Sequence, residues 1–152
     1  LDVSSSMRTR EMSALKDAAR AAVGHFRPGD YVTVVAFQSV AYEIVEPTMI
    51  VDRSTLADII RKIDVIDQFQ GGGTDLEYAL DKAADLISAV PDRNQVKKLI
   101  VFTDGMVTGI PEKCLKTAAE LSSRGIGIDA LGFGSEFDYK FMQRLVSYSN
   151  AP

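Results

Sequence analysis

The sequence predicts an α/β fold class: a doubly wound, mostly parallel sheet with one antiparallel edge strand and helices on both faces. Two patterns carry this expectation. Strand and helix signatures alternate along the whole chain, and Lys98-Leu99-Ile100-Val101-Phe102 is the short, continuously apolar run of a strand buried on both faces. The size agrees. At 152 residues, with 46% hydrophobic and 25% charged residues, the chain reads as one globular domain over 1–152. A chain this long buries roughly 70% of its unfolded surface and needs neither disulfides nor a structural metal to fold.

Each element has its own warrant. Leu1-Asp2-Val3-Ser4 reads as the last residues of a buried strand that begins upstream. From about Arg10 to Phe26, Met12, Leu15, Ala18, Ala19, Ala22 and Val23 recur at helical spacing, and Pro28-Gly29-Asp30 breaks that helix. Tyr31–Phe37 is β-branched and aromatic, as a strand should be. Tyr42, Ile44 and Val45 follow the short link Gln38-Ser39, so this pair is expected to be an antiparallel hairpin. Asp52-Arg53-Ser54 opens a helix with Leu56, Ile59, Ile60 and Ile63 on one face. A Gly-rich loop, Gln68 to Asp75, leads into a helix from about Leu76 to Ala89 with Leu80, Ala83, Ala84 and Ile87 inward. The strand at 98–102 ends in Thr103-Asp104-Gly105. Pro111 starts a helix that Gly125 stops. Ile126–Phe133 is a strand and Phe137–Tyr148 the last helix. The domain is expected to continue beyond both the start of its first strand and the helix before Pro152.

Several function classes fall away. The single Cys114 allows no internal disulfide and no Cys-rich zinc site, and the single His25 leaves little for His-based catalysis. Lys plus Arg is 17 against 21 Asp plus Glu, a net charge of −4, which argues against a nucleic-acid partner. No apolar run approaches 18 residues, so no membrane span is expected in this segment.

In a parallel sheet, ligands gather at the carboxyl ends of the strands. Three segments end there: Asp2-Val3-Ser4-Ser5-Ser6, Gly71-Gly72-Gly73-Thr74 and Thr103-Asp104-Gly105. They offer carboxylates and hydroxyls without His or Cys, a hard donor set that suits Mg²⁺, Mn²⁺ or Ca²⁺ rather than Zn²⁺ or Cu²⁺. Asp2, Ser4 and Ser6 alternate, so their side chains can converge as the chain leaves the sheet.

These residues resemble a known family. Asp2-Val3-Ser4-Ser5-Ser6 looks like the Asp-x-Ser-x-Ser motif of von Willebrand factor type A (vWA) domains. Thr74 and Asp104 match the other two parts of that motif, in the same order. The resemblance implies a Rossmann-like fold carrying a metal-ion-dependent adhesion site (MIDAS). It implies Ser4, Ser6 and Thr74 as direct ligands, with Asp2 and Asp104 acting directly or through water. The metal, usually Mg²⁺, would take its last ligand from an Asp or Glu of a partner protein. Met7, Arg8, Gly73 and Met106 flank the motifs as a candidate partner-binding rim. Ser5 stands where the family often has Gly. The setting expected is part of a larger multidomain protein, with a lean to the bacterial cytoplasm and the cell surface or secretion left open.

Asp2 and Ser4 could merely cap a helix or close a turn. Gly71–Gly73 lacks the Gly-Lys-Ser/Thr ending of a phosphate loop, and the serines lack a base to become nucleophiles; no catalytic residue is expected. A metal-independent scaffold is the main alternative function. A Mg²⁺-dependent phosphoryl-transfer enzyme ranks lower, because Ser4 replaces the second Asp such enzymes of the aspartyl-phosphate type usually carry.

Overall fold

The computed structural model describes residues 1–91 and 95–149. The chain end at Pro152 lies outside them. Helix α1 (Thr9–Val23) precedes an antiparallel hairpin, β1 (Tyr31–Phe37) and β2 (Ala41–Met49). Helix α2 (Arg53–Asp64) and a 3₁₀ turn (Ile66–Phe69) lead to α3 (Leu76–Ser88). Strand β3 (Lys97–Thr103), α4 (Pro111–Ser123), β4 (Ile126–Gly132) and α5 (Tyr139–Ser149) follow, with β3 and β4 parallel.

Local chemistry sets most boundaries. Asp52 caps α2 by accepting from Thr55 N at 3.0 Å, and Asp75 caps α3 through Tyr78 N at 3.5 Å. The last helix starts two residues later than expected because Asp138 accepts from Phe141 N at 3.0 Å. Pro47 sits within β2, which pairs on one side only and so tolerates a missing donor.

Helices cover both faces. Ala19, Val23, Ile59 and Ile63 of α1 and α2 pack on Val32, Val34 and Val45. On the other face Leu80, Leu115, Leu121 and Leu145 of α3, α4 and α5 pack on Val101 and Ile128. The neighbours Val101 and Phe102 fall in opposite clusters, as alternating strand residues must.

The sheet differs from the expectation of one doubly wound sheet. Two two-stranded pairs are formed, β1–β2 and β3–β4. Residues 1–3 lie between them. Asp2 N donates to Phe102 O at 2.8 Å, Val3 N to Phe37 O at 2.8 Å, and Phe37 N to Leu1 O at 2.9 Å. This short segment spans only the ends of β1 and β3. The burial expected of β3 on both faces therefore holds for Val101 and Phe102 but fails at Ile100, which is 44% exposed.

Candidate metal centre

Of the six buried polar residues described, five come together where β1 and β3 end: Asp2, Ser4, Thr74, Thr103 and Asp104. Their assembly starts with the extended residues 1–3, which carry Asp2 into the interior. There one carboxylate oxygen, Oδ1, accepts from Ser4 N at 2.9 Å. The other, Oδ2, accepts from the Thr103 hydroxyl at 2.5 Å. The chain then turns, Met7 N donating to Ser4 O at 3.1 Å. That turn brings the hydroxyls of Ser4 and Ser6 within 3.0 Å of each other, as their alternation predicts.

The Gly-rich loop folds over the same edge. Gly71 N donates to Val3 O at 3.0 Å and Ser5 N to Gly72 O at 3.2 Å. Gly72 has φ +59, a backbone region that favours glycine, and a Cβ there would displace the side chains of Gln38 and Ser39 of the hairpin. Gly73 N donates to Ser39 Oγ at 2.8 Å. Thr74 is tied to the third segment in both directions. Its N donates to Thr108 Oγ1 at 3.0 Å, and Thr108 N donates to its carbonyl at 3.0 Å. The Asp104 turn is held by Met106 N on Asp104 Oδ1 (3.1 Å) and Gly105 N on Thr103 Oγ1 (2.9 Å).

The electrostatics are unfavourable without a cation. Burial pushes the Asp2 carboxyl above its ordinary value. Hydrogen bonds from Ser4 and Thr103 oppose that shift, and the nearby Asp104 charge adds to it. Among the described residues neither aspartate has a Lys or Arg partner in an ion pair. Two buried carboxylates close enough to repel, with hydroxyls beside them, make a hard oxygen donor set for a divalent cation. Among the described residues no group of three or more His, Cys, Asp and Glu gathers to hold a metal, so any cation here relies on the hydroxyls.

The rim divides. Met106 is 42% exposed, Arg8 is exposed at the start of α1, and Gly73 is half-buried. Met7 is a correction: it is 0% exposed and packs with Met12, Leu15, Ile66 and Phe102. Its place just before α1 turns the thioether under the helix instead of toward solvent. Ile110, 53% exposed in the loop leaving Asp104, offers apolar surface that the motifs gave no reason to single out. Thr103, Ser39 and Thr108 were also missed as supports. Only Thr103 had a signal, as a hydroxyl directly before a strand-end aspartate.

Comparisons with known proteins bear on the fold and the family. The family model for the von Willebrand factor type A domain matches residues 1–106. Inter-alpha-trypsin inhibitor heavy chain H1 of Bos taurus is 27% identical over 94% of this chain, which spans 16% of that protein; an uncharacterized Synechocystis protein is 24% identical over 97%, and 34% of it is spanned. The chain thus spans about a third or less of these relatives. Among solved structures, the mussel proximal thread matrix protein 1 with a zinc-occupied MIDAS motif superposes with a TM-score of 0.81. It is 20% identical over 97% of this chain and 40% of that one. The manganese-loaded Plasmodium vivax TRAP protein superposes with a TM-score of 0.76, at 17% identity over 95% and 59%. At these identities the structural likeness speaks for the fold. With the family model matching most of the chain, the protein belongs to the von Willebrand factor type A domain family.

Proposed function

We propose that this domain is a divalent-cation-dependent protein-binding module. In this reading Ser4, Ser6 and Thr74 hold Mg²⁺, or Mn²⁺ or Ca²⁺ in its place, while Asp2 and Asp104 contact the ion directly or through water. The bound ion supplies a positive coordination position for an Asp or Glu carboxylate of a partner protein. The observation that carries the reading is the buried pair Asp2 and Asp104, without a cationic partner, beside the paired hydroxyls of Ser4 and Ser6. Each residue has a distinct task. Thr103 orients Asp2 through its hydroxyl, and the Thr74–Thr108 ties keep the Gly-rich loop against the Asp104 turn. Met106, Ile110 and Arg8 border the edge that a partner approaches, and Arg8 favours an acidic one. The reading also takes β2, β1, residues 1–3, β3 and β4 as successive strands of one mostly parallel sheet. Thermal melts with and without Mg²⁺, and capture of a partner in Mg²⁺ against chelator, test it. A cation at 100 times its dissociation constant stabilises by about 2.7 kcal/mol. No shift with any of Mg²⁺, Mn²⁺ or Ca²⁺ refutes the metal, and partner capture unchanged in chelator favours the metal-independent scaffold.

A further inference from the structure

Residues 104–110, the loop from β3 to α4, carry the exposed apolar side chains Met106 and Ile110. Where the backbone groups of this loop find partners decides what holds those side chains in place. Gly105 N donates to Thr103 Oγ1 at 2.9 Å and Met106 N to Asp104 Oδ1 at 3.1 Å. Val107 N donates within the loop, to Gly105 O at 3.0 Å, and its side chain packs on the core. Thr108 is bonded twice to Thr74: its N donates to Thr74 O, and its Oγ1 accepts from Thr74 N, both at 3.0 Å. Ile110 O accepts from Lys113 N at 3.1 Å, where α4 begins. Among the described residues, the tie to Thr74 is therefore the hydrogen-bonded link that fastens the loop between Val107 and α4.

Thr74 and Asp104 stand on different loops and are both buried. Thr108, a short way beyond Asp104, joins the two. We propose that Thr108 is a positioning residue that makes the order of loop 104–110, and with it the placing of Met106 and Ile110, depend on the cation. The inference rests on the cation site proposed above: with Thr74 and Asp104 on one ion, Thr108 closes a ring of bonds through the loop. Any opening that draws either ligand away must then release the ion. At 100 times the dissociation constant such openings become about 100-fold rarer. The cation thus has a second task besides receiving a partner's carboxylate. It fixes the apolar side chains that meet the partner beside that carboxylate.

The test is hydrogen exchange on the full-length polypeptide without a partner, resolved to single amides, in chelator and in saturating Mg²⁺. Thermal melts of the same samples report whether Mg²⁺ binds. The expected result is a raised Tm, with exchange of the Thr74, Met106 and Thr108 amides slowed by about tenfold to 100-fold. In Thr108→Val the slowing persists at Met106, which bonds to Asp104 directly. At Thr74 and Thr108 it shrinks by about fivefold, the worth of one hydrogen bond. Thr108→Ser, which keeps the hydroxyl, restores it. A Tm raised by Mg²⁺ with unchanged exchange overturns the proposal and leaves the cation site standing. So does Thr108→Val that speeds exchange equally in chelator and in Mg²⁺, since Thr108 is then structural only. No rise in Tm with Mg²⁺, Mn²⁺ or Ca²⁺ removes the cation site and the proposal together. Thr108→Ala takes the place of Thr108→Val if that variant fails to fold.

Discussion

The Thr103 hydroxyl donates to Asp2 Oδ2 at 2.5 Å, joining the end of β3 to a carboxylate 101 positions earlier in the chain. Both residues are buried, at 1% and 0% exposure. Thr103→Val keeps the shape and removes the hydroxyl, leaving the buried Asp2 Oδ2 without its donor and Gly105 N without its acceptor. The expected loss is about 1–3 kcal/mol, because orphaning a buried acceptor costs its desolvation. Thr103→Ser, which keeps the hydroxyl, loses less. Urea unfolding of the two variants without metal measures the difference; equal losses would show that the hydroxyl does not matter.

Asp104 is expected to change sign with metal. Burial raises the Asp2 carboxyl most and the Asp104 charge adds to it, so without a cation the two aspartates repel. Asp104→Asn relieves that repulsion and leaves the metal-free fold as stable as wild type or more so. With saturating Mg²⁺ the wild type gains stability and the variant gains little. Thermal melts of both proteins with and without Mg²⁺ give the four values; a variant less stable than wild type in chelator and equally raised by Mg²⁺ contradicts this account.

The buried Asp2 carboxyl gives the fold a pH dependence. The Asp2 carboxyl is raised by burial above its ordinary 3.8, so the folded state holds this proton more tightly than the unfolded state. Its stabilising contribution is therefore complete below 3.8 and lost as pH rises through the folded value. A cation prefers the carboxylate, so the Mg²⁺-induced rise in Tm shrinks as pH falls through the same window. Melts from neutral pH to about pH 3, with and without Mg²⁺, follow both effects; a Mg²⁺-induced rise in Tm that does not shrink toward low pH contradicts them.

How much of this was legible beforehand depends on what each residue's chemistry can report. The strand and helix succession was legible because apolar spacing records which side of an element is buried, and Asp52 and Pro111 mark helix starts by local chemistry. Asp2, Ser4, Thr74 and Asp104 stand out in the sequence as carboxylates and hydroxyls at strand and loop ends, and the structure buries all four. Met7 could not be placed, since a thioether suits a partner surface and a core equally well; its direction is set by α1 packing above it. Ile100 misled for the opposite reason. A continuously apolar run reads as burial on both faces, and β3 pairs along its length only with β4, which leaves Ile100 exposed. Thr108 and Ser39 are invisible as supports because their partners are backbone amides brought near only by the fold.

Phe137 lies against both glycines that close the edge of the site. A Cβ at Gly105 would lie 2.6 Å from Phe137 Cδ2, and one at Gly132 would lie 2.6 Å from the same atom. Gly105 also has φ +76, a backbone region costly for any residue with a Cβ. Gly105→Ala therefore carries two penalties, the backbone strain of about 1–3 kcal/mol and the clash with the ring. Phe137→Ala alone opens a cavity, costing about 3–5 kcal/mol if the ring is as enclosed as a core phenylalanine and less at its partial exposure. The double variant removes the clash and keeps the strain, so its loss should fall short of the sum of the two single losses by about 0.5–3 kcal/mol, the range of contacting pairs. Gly132→Ala with Phe137→Ala should show the same coupling with a smaller loss for its own single variant, because Gly132 has no positive φ to strain. Urea unfolding of the five variants measures this, and strictly additive losses would mean that Phe137 does not pack on these glycines in solution.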